Sequence, residues 1–272
     1  MVLNDYRKTR ETMTAKTHLI YFSPTKTTKQ IVEQIAAGLN SRDTEHYDVT
    51  RLDGVLDLQL CDGIAVIGFP VYAGRVPEVF LKRIEGVSAA GVPAVLVALY
   101  GNREYEDALV ELRDVAHSKG FNVIAAGAFI GEHSYSTSEQ PIAANRPDAA
   151  DLHKAREFGA RIAGKMRETT AKAAPEIPGN VPYKDRIPLG GVAPETDRER
   201  CTLCGTCATV CPTFVIRVEK EVVTEAQNCI MCCACVKGCP EYARALQHPM
   251  ISARREMLIN NCSKRKEPAC FL

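Results

Sequence analysis

Tryptophan is absent from this sequence, so any ring that stacks on a planar ligand must come from Tyr, Phe or His. Excess charge is absent too. Lys and Arg number 34 against 33 Asp and Glu, a net charge of +1, and nothing global points to nucleic acid or an anionic membrane surface. Long apolar runs are missing. The longest spans 92–99, far short of the roughly 18 residues that would suggest a membrane span. Residues 1–16 are polar and charged; they are expected to form a flexible extension and not a secretory signal. No G-x-G-x-x-G and no G-K-[ST] occurs, so neither a dinucleotide fingerprint nor a P-loop is supported. Apolar residues at 46% and charged residues at 25% are ordinary for a globular chain. The 272 residues exceed a typical domain of roughly 100–200, and two domains are expected.

Cysteine, by contrast, is plentiful at 12 residues, and eight of them form two runs. Cys201, Cys204, Cys207 and Cys211 precede Pro212, and Cys229, Cys232, Cys235 and Cys239 precede Pro240. Each run reads C-x2-C-x2-C-x3-C-P, the spacing that holds [4Fe–4S] clusters in bacterial two-cluster ferredoxins. Three thiolates in a tight turn can cap three corners of one cube, and the fourth cysteine of such a run ligates the other cluster. The expected ligand sets are therefore Cys201, Cys204, Cys207 and Cys239 for one cluster, and Cys229, Cys232, Cys235 and Cys211 for the second. Structural zinc usually shows paired C-x2-C units about fifteen to twenty residues apart, a poorer match. A disulfide framework fits less well still, and a reducing, cytoplasmic location is expected. The runs form an internal repeat in which Cys233 takes the position of Gly205, so Cys233 reads as a small residue at a glycine position and not as a ninth ligand. Cys61, Cys262 and Cys270 read as free thiols.

Upstream of the cysteines, apolar runs alternate with helical patterns. Strands are expected at 18–22, 47–52, 63–68, 92–99 and 121–129, from short, nearly continuous apolar stretches. Helices are expected around Ile31, Val32, Ile35, Ala36 and Leu39, then over 77–84, 105–118 and 149–167. Such alternation predicts right-handed crossovers and a parallel sheet covered on both faces. In doubly wound sheets ligands bind beyond the carboxyl ends of the strands, which singles out the loops at 23–28, 69–77 and 100–104. The first carries the hydroxyls Ser23, Thr25, Thr27 and Thr28 between a strand end and a helix start. N-capping needs one hydroxyl; four suggest an anion cradle at a helix N-terminus, suited to a ligand with a single phosphate.

With these loops in view, residues 17–170 resemble a flavodoxin domain. Ser23-x-Thr25-x-x-Thr28 is similar to that family's hydroxyl-rich phosphate loop for FMN, with Lys26 where the family often has glycine or asparagine. The resemblance implies that Ser23, Thr25, Lys26, Thr27 and Thr28 hold the phosphate. It also implies that Pro70, Val71, Tyr72, Ala73 and Gly74, with Tyr100, Gly101, Asn102 and Arg103, bracket the flavin ring, Tyr72 or Tyr100 stacking on it. Gly131 to Tyr135 is expected at the rim of the same sheet edge or as partner surface, with His133 in a structural role.

Residues 171–196 are rich in proline and glycine and read as a semi-rigid linker, followed by a two-cluster domain at 197–248 and a basic tail at 249–272. The pairing resembles the flavodoxin–ferredoxin fusion family. It implies an α/β fold with a flavodoxin-like, doubly wound, five-stranded parallel sheet and a second, small α+β ferredoxin-like domain. Val210, Phe214, Ile216, Ile230, Met231, Val236 and Tyr242 are expected to shield the clusters. The tail cations Arg254, Arg255, Lys264, Arg265 and Lys266 form either a solvated end or a docking patch for an acidic redox partner. The function expected is electron transfer between two [4Fe–4S] clusters and FMN. Competing readings are an FMN-dependent reductase of a quinone or other small acceptor, an electron-wiring subunit of a larger complex, and a flavodoxin half that binds no flavin. Expected partners are a redox-protein donor and acceptor; a small-molecule acceptor and a homodimer stay open, and no nucleic acid or membrane span is expected.

Overall fold

The computed structural model describes residues 16–41, 43–168 and 174–272. The extension expected at 1–16 lies outside the described residues except for Lys16, as do residues 171–173 of the expected linker. The first half runs β1 (Thr17–Tyr21), α1 (Thr27–Leu39), β2 (Thr44–Asp48), β3 (Leu58–Leu60), β4 (Ile64–Pro70), α2 (Glu78–Arg83), β5 (Val87–Ala89), β6 (Pro93–Tyr100), α3 (Ala108–Ser118), β7 (Asn122–Ile130) and α4 (Ala149–Arg167). The second half runs β8 (Glu195–Thr196), α5 (Thr206–Thr209), β9 (Ile216–Val218), β10 (Val222–Thr224), α6 (Ala234–Lys237), β11 (Arg244–Ala245), α7 (Pro249–Cys262) and β12 (Ala269–Phe271).

The main sheet is ordered β12-β7-β6-β4-β1-β2. Strands β2, β1, β4, β6 and β7 pair in parallel. Their order is that of the flavodoxin-like doubly wound fold, which places a ligand crevice beyond the carboxyl ends of the strands, at the switch point beside β1. Near-continuous apolar strands bury both faces. Ile20, Phe22, Phe69 and Phe80 pack on one side, while Leu19, Tyr21, Ile31, Ile35, Phe129 and Phe158 pack on the other. Alternate residues of β1 thus feed two cores. The long helix α4 starts with a capping box in which the Asp148 side chain accepts from the Ala150 and Asp151 amides, satisfying two donors that the first helical turn leaves open.

Three features differ from the expectation. The second strand lies at 44–48 instead of 47–52, because β2 is an outer strand with alternating half-buried residues and lacks a continuous apolar run. The tail is not a free basic end: it forms α7 and then β12, a sixth strand antiparallel to β7. The 174–194 connection is docked along its length. Ile177 is buried in the main core. The Asp107 carboxylate accepts from Asn180 N and Nδ2 and from Lys184 N, and Arg186 pairs with Glu111. Among the described residues no helix is long and apolar enough to cross a membrane.

Candidate functional site

The cysteine runs repeat in the backbone as well as in spacing. Leu203, Gly205 and Phe214 have positive φ, and so do Met231, Cys233 and Tyr242, each 28 residues later. Left-handed residues set among right-handed ones turn successive N–H groups to one side, forming the concavity that binds phosphates and iron–sulfur centres. Gly205 and Cys233 precede the short helices α5 and α6 with φ of 79° and 59°. Cys233 therefore does stand in a glycine-like conformation; its thiol is buried and bonds the Met231 carbonyl.

None of the twelve cysteines forms a disulfide. Cys201, Cys204, Cys207 and Cys239 line one small cavity that Cys211 does not reach. Cys211 instead acts electrostatically on Cys229, Cys232 and Cys235. Cys239 of the second run thus sits beside the first three cysteines of the first run. Among the described residues no three His, Cys, Asp or Glu side chains converge closely enough to hold a single metal ion. Burial pushes up the thiols of Cys207 and Cys229, and that of Cys235 to about 11, while the Arg244 charge opposes the rise at all three. The first run is the more open: Cys204 is exposed, whereas Cys232 and Cys235 are buried. Ile216 and Met231 are buried as expected of a shield, but Phe214 and Tyr242 are 44% and 75% exposed. Phe214 stacks under the Arg51 guanidinium instead.

A second cavity, of about 310 Å³, opens at the carboxyl edge of the sheet. Thr25, Thr27 and Thr28 line it from the first loop, Pro70, Val71, Tyr72 and Ala73 from the second, and Tyr100, Gly101 and Arg103 from the third. The first turn of α1 carries no acidic residue. The Thr25 and Thr27 hydroxyls bond each other at 3.2 Å. Thr28 Oγ1 is buried without a hydrogen-bond partner among the described residues, and a buried polar atom left so needs an explanation. A phosphate oxygen supplies one, since hydroxyls at a helix N-terminus suit an anion.

Four residues expected at the cofactor lie outside the lining. Ser23 caps instead, its Oγ accepting from the Lys29 amide. Lys26 occupies the left-handed position before α1, at φ 65°, with its side chain exposed; this is why glycine or asparagine is the usual residue in such a turn. Gly74 closes a two-residue hairpin with Ala73, both at positive φ, in which Tyr72 and Arg75 exchange backbone bonds. That turn needs glycine, and a Cβ there would also strike the Glu106 carboxylate. Asn102 faces the tail: its Nδ2 donates to the Cys262 and Lys264 carbonyls, and its Oδ1 accepts from the Lys266 amide.

Several cavity residues carry no motif. Glu132, His133 and Tyr135 line it rather than a rim, as do Lys184, Ile187 and Leu189 of the connection and Arg254, Met257 and Leu258 of α7. His133 Nδ1 accepts from the Tyr135 amide, which leaves a neutral ring with its proton on Nε2. Burial and the nearby Arg103, Lys237 and Arg255 charges hold its pKa down to about 4. Burial pushes Tyr100 up to about 12. Ile230 and Met231 complete the wall, and these two residues are the ones between Cys229 and Cys232. Tyr135 donates to the Met231 sulfur at 3.9 Å, and the pKa of Tyr72 is raised by burial and by Cys232 and Cys233. The second cysteine run and the hydroxyl-rich loop therefore share one cavity. Seven-residue spacing of Ile251 and Leu258, both buried, is the only sequence signal that α7 packs here.

Residues 193–263 match the family model of the 4Fe-4S dicluster domain. No curated protein matches the chain. Among solved structures, the chain is similar to a flavodoxin from the domain Archaea at 15% identity, over 56% of this chain and 99% of that one, with a TM-score of 0.38. It is similar to a Fusobacterium nucleatum flavodoxin bound to flavin mononucleotide at 20% identity, over 56% and 98%, with a TM-score of 0.34. It is also similar to an NAD(P)H:quinone oxidoreductase from Methanothermobacter marburgensis at 9% identity, over 59% and 100%, with a TM-score of 0.35. At these scores the strand order, not the neighbours, carries the fold assignment. The chain joins a flavodoxin-like α/β domain to an iron–sulfur domain, and this architecture is that of an electron-transfer redox protein.

Proposed function

We propose that the chain is an electron-transfer flavoprotein that binds one FMN and two [4Fe–4S] clusters and exchanges electrons between them within one molecule. When bound, the flavin handles one or two electrons and each cluster one, and that chemistry belongs to the cofactors. The observation that carries the reading is the shared cavity, whose wall includes both the phosphate-type loop and the Ile230–Met231 segment between two cysteines.

The chain's own residues bind, orient and exclude water. Thr25, Thr27 and Thr28 offer hydroxyls to a phosphate beside the start of α1. Tyr72, Tyr100 and Tyr135 supply rings in place of the missing tryptophan. Arg103 is paired with Glu106, as is Lys184, so these cations fix loop positions and offer little free charge. Met257 and Leu258 roof the cavity from α7. His133, neutral with Nε2–H as donor, can orient a polar edge but does not serve as an acid near pH 7. Crossed cysteine sets would tie the two runs into one unit, with the open first run nearer an outside partner.

A reductase of a small acceptor is the weaker reading. A volume of about 310 Å³ sits at the low end for a single organic ligand, and among the described residues no general acid with a proton to give near pH 7 faces it beside His133. The test is composition: anaerobically purified protein should hold one FMN with about eight irons and eight sulfides, as two four-iron clusters require. Zinc in place of iron, or clusters without flavin, would overturn the proposal.

A further inference from the structure

Arg244 is buried, at 4% exposure, and no carboxylate pairs with it among the described residues. A buried charge without a counterion is costly, so something must compensate it. Its surroundings are hydroxyls and sulfur. It lies on β11 opposite Thr196 of β8. Nη1 donates to Thr196 Oγ1, Nη2 to Thr224 Oγ1 at 2.8 Å and to Cys235 Sγ at 3.8 Å. Nε has no partner. The same side chain lines the cavity of Cys201, Cys204, Cys207 and Cys239. One guanidinium therefore touches the Cys235 thiol of one ligand set and borders the cavity of the other.

We infer that Arg244 is the shared counterion of both clusters and sets their reduction potentials. The inference rests on the cluster reading above. A [4Fe–4S] core with four thiolates is an anion, and it gains one further negative charge on reduction. A fixed cation beside it favours the reduced form, and an N–H donated to a ligand sulfur acts in the same direction. Thr196 and Thr224 hold the guanidinium by neutral oxygens, so its charge stays free to act on the sulfur side. Arg244 thus acts through its charge and through its contact with the Cys235 sulfur.

The experiment compares the full-length protein with R244Q and R244K, loaded anaerobically. Iron is counted for each, and potentials are read by titration followed by visible and electron paramagnetic resonance spectra. R244Q, with unchanged iron, should be harder to reduce by about tenfold in the equilibrium, which is about 59 mV for a one-electron couple. R244K, which keeps the charge, should shift less. The flavin couple, whose cavity Arg244 does not line, should stay in place. Unchanged cluster potentials in iron-replete R244Q would overturn the inference. If R244Q lost iron while R244K kept it, the need for a cation would be supported; loss from both would assign Arg244 a merely structural role and overturn it. Wild-type protein without iron would instead refute the cluster reading itself.

Discussion

At Thr28, binding and folding pull in opposite directions. Its hydroxyl is buried with no partner among the described residues, an arrangement that costs about 1–3 kcal/mol unless a ligand satisfies it. T28V should therefore weaken FMN binding about tenfold while leaving the ligand-free protein equally or more stable. Fluorescence titration and thermal unfolding of the same samples check both halves; a stability loss with unchanged affinity would make Thr28 a packing residue. His133 gives a second residue-scale prediction. Its folded pKa of about 4 lies below the unfolded value of about 6.5, so the unfolded chain binds the extra proton between these values. The stability this neutral ring preserves is complete above about pH 6.5 and is lost as pH falls toward 4. H133Q should flatten that slope in urea unfolding from pH 7 to 4. At this scale the sequence is uneven. Thr25, Thr27 and Thr28 were legible because hydroxyls cluster before a helical pattern. Asn102 was misleading, since an amide in a strand-end loop suits a ligand or a backbone equally, and only the distant tail decides.

The elements divide in the same way. Strands β1, β4, β6 and β7 are legible because both faces are buried and the apolar runs are local. The bounds of α4 match their expectation because Asp148 supplies a cap where the periodicity begins. Helix α7 and strand β12 were not legible. β12 is three residues long and owes its state to pairing with Ala126, Gly127 and Ala128, a partner more than a hundred residues away. Three of the tail cations are spent on this docking: Arg255 bonds the Tyr135 carbonyl, Arg265 pairs with Asp148, and Lys266 pairs with Glu104. Asn102 is the central fastening, with three hydrogen bonds to tail backbone. At about 1 kcal/mol each, N102A should loosen the segment by roughly 2–3 kcal/mol. Hydrogen exchange should then quicken at least tenfold over residues 262–271 and stay unchanged in β1 and β4. Uniform acceleration would mean that the fastening belongs to the global fold.

At the scale of the molecule, the two domains meet through named contacts. Arg83 reaches the Pro212 carbonyl at 2.5 Å while also holding the Val49 and Thr50 carbonyls. Lys237 pairs with Glu132 at 2.6 Å. Arg51 donates to the Cys211 carbonyl at 3.4 Å. These contacts join the cysteine domain to the carboxyl edge of the sheet, the edge where the candidate cavity lies. The central claim is that electrons move between clusters and flavin inside one chain. Its most direct measurement is rapid anaerobic mixing of the loaded protein with a substoichiometric one-electron reductant, with the cluster and flavin absorption bands followed separately. The account predicts redistribution between the two bands at a rate unchanged when protein concentration is varied about tenfold. A rate proportional to concentration, or a flavin band that never responds to reduced clusters, would contradict it.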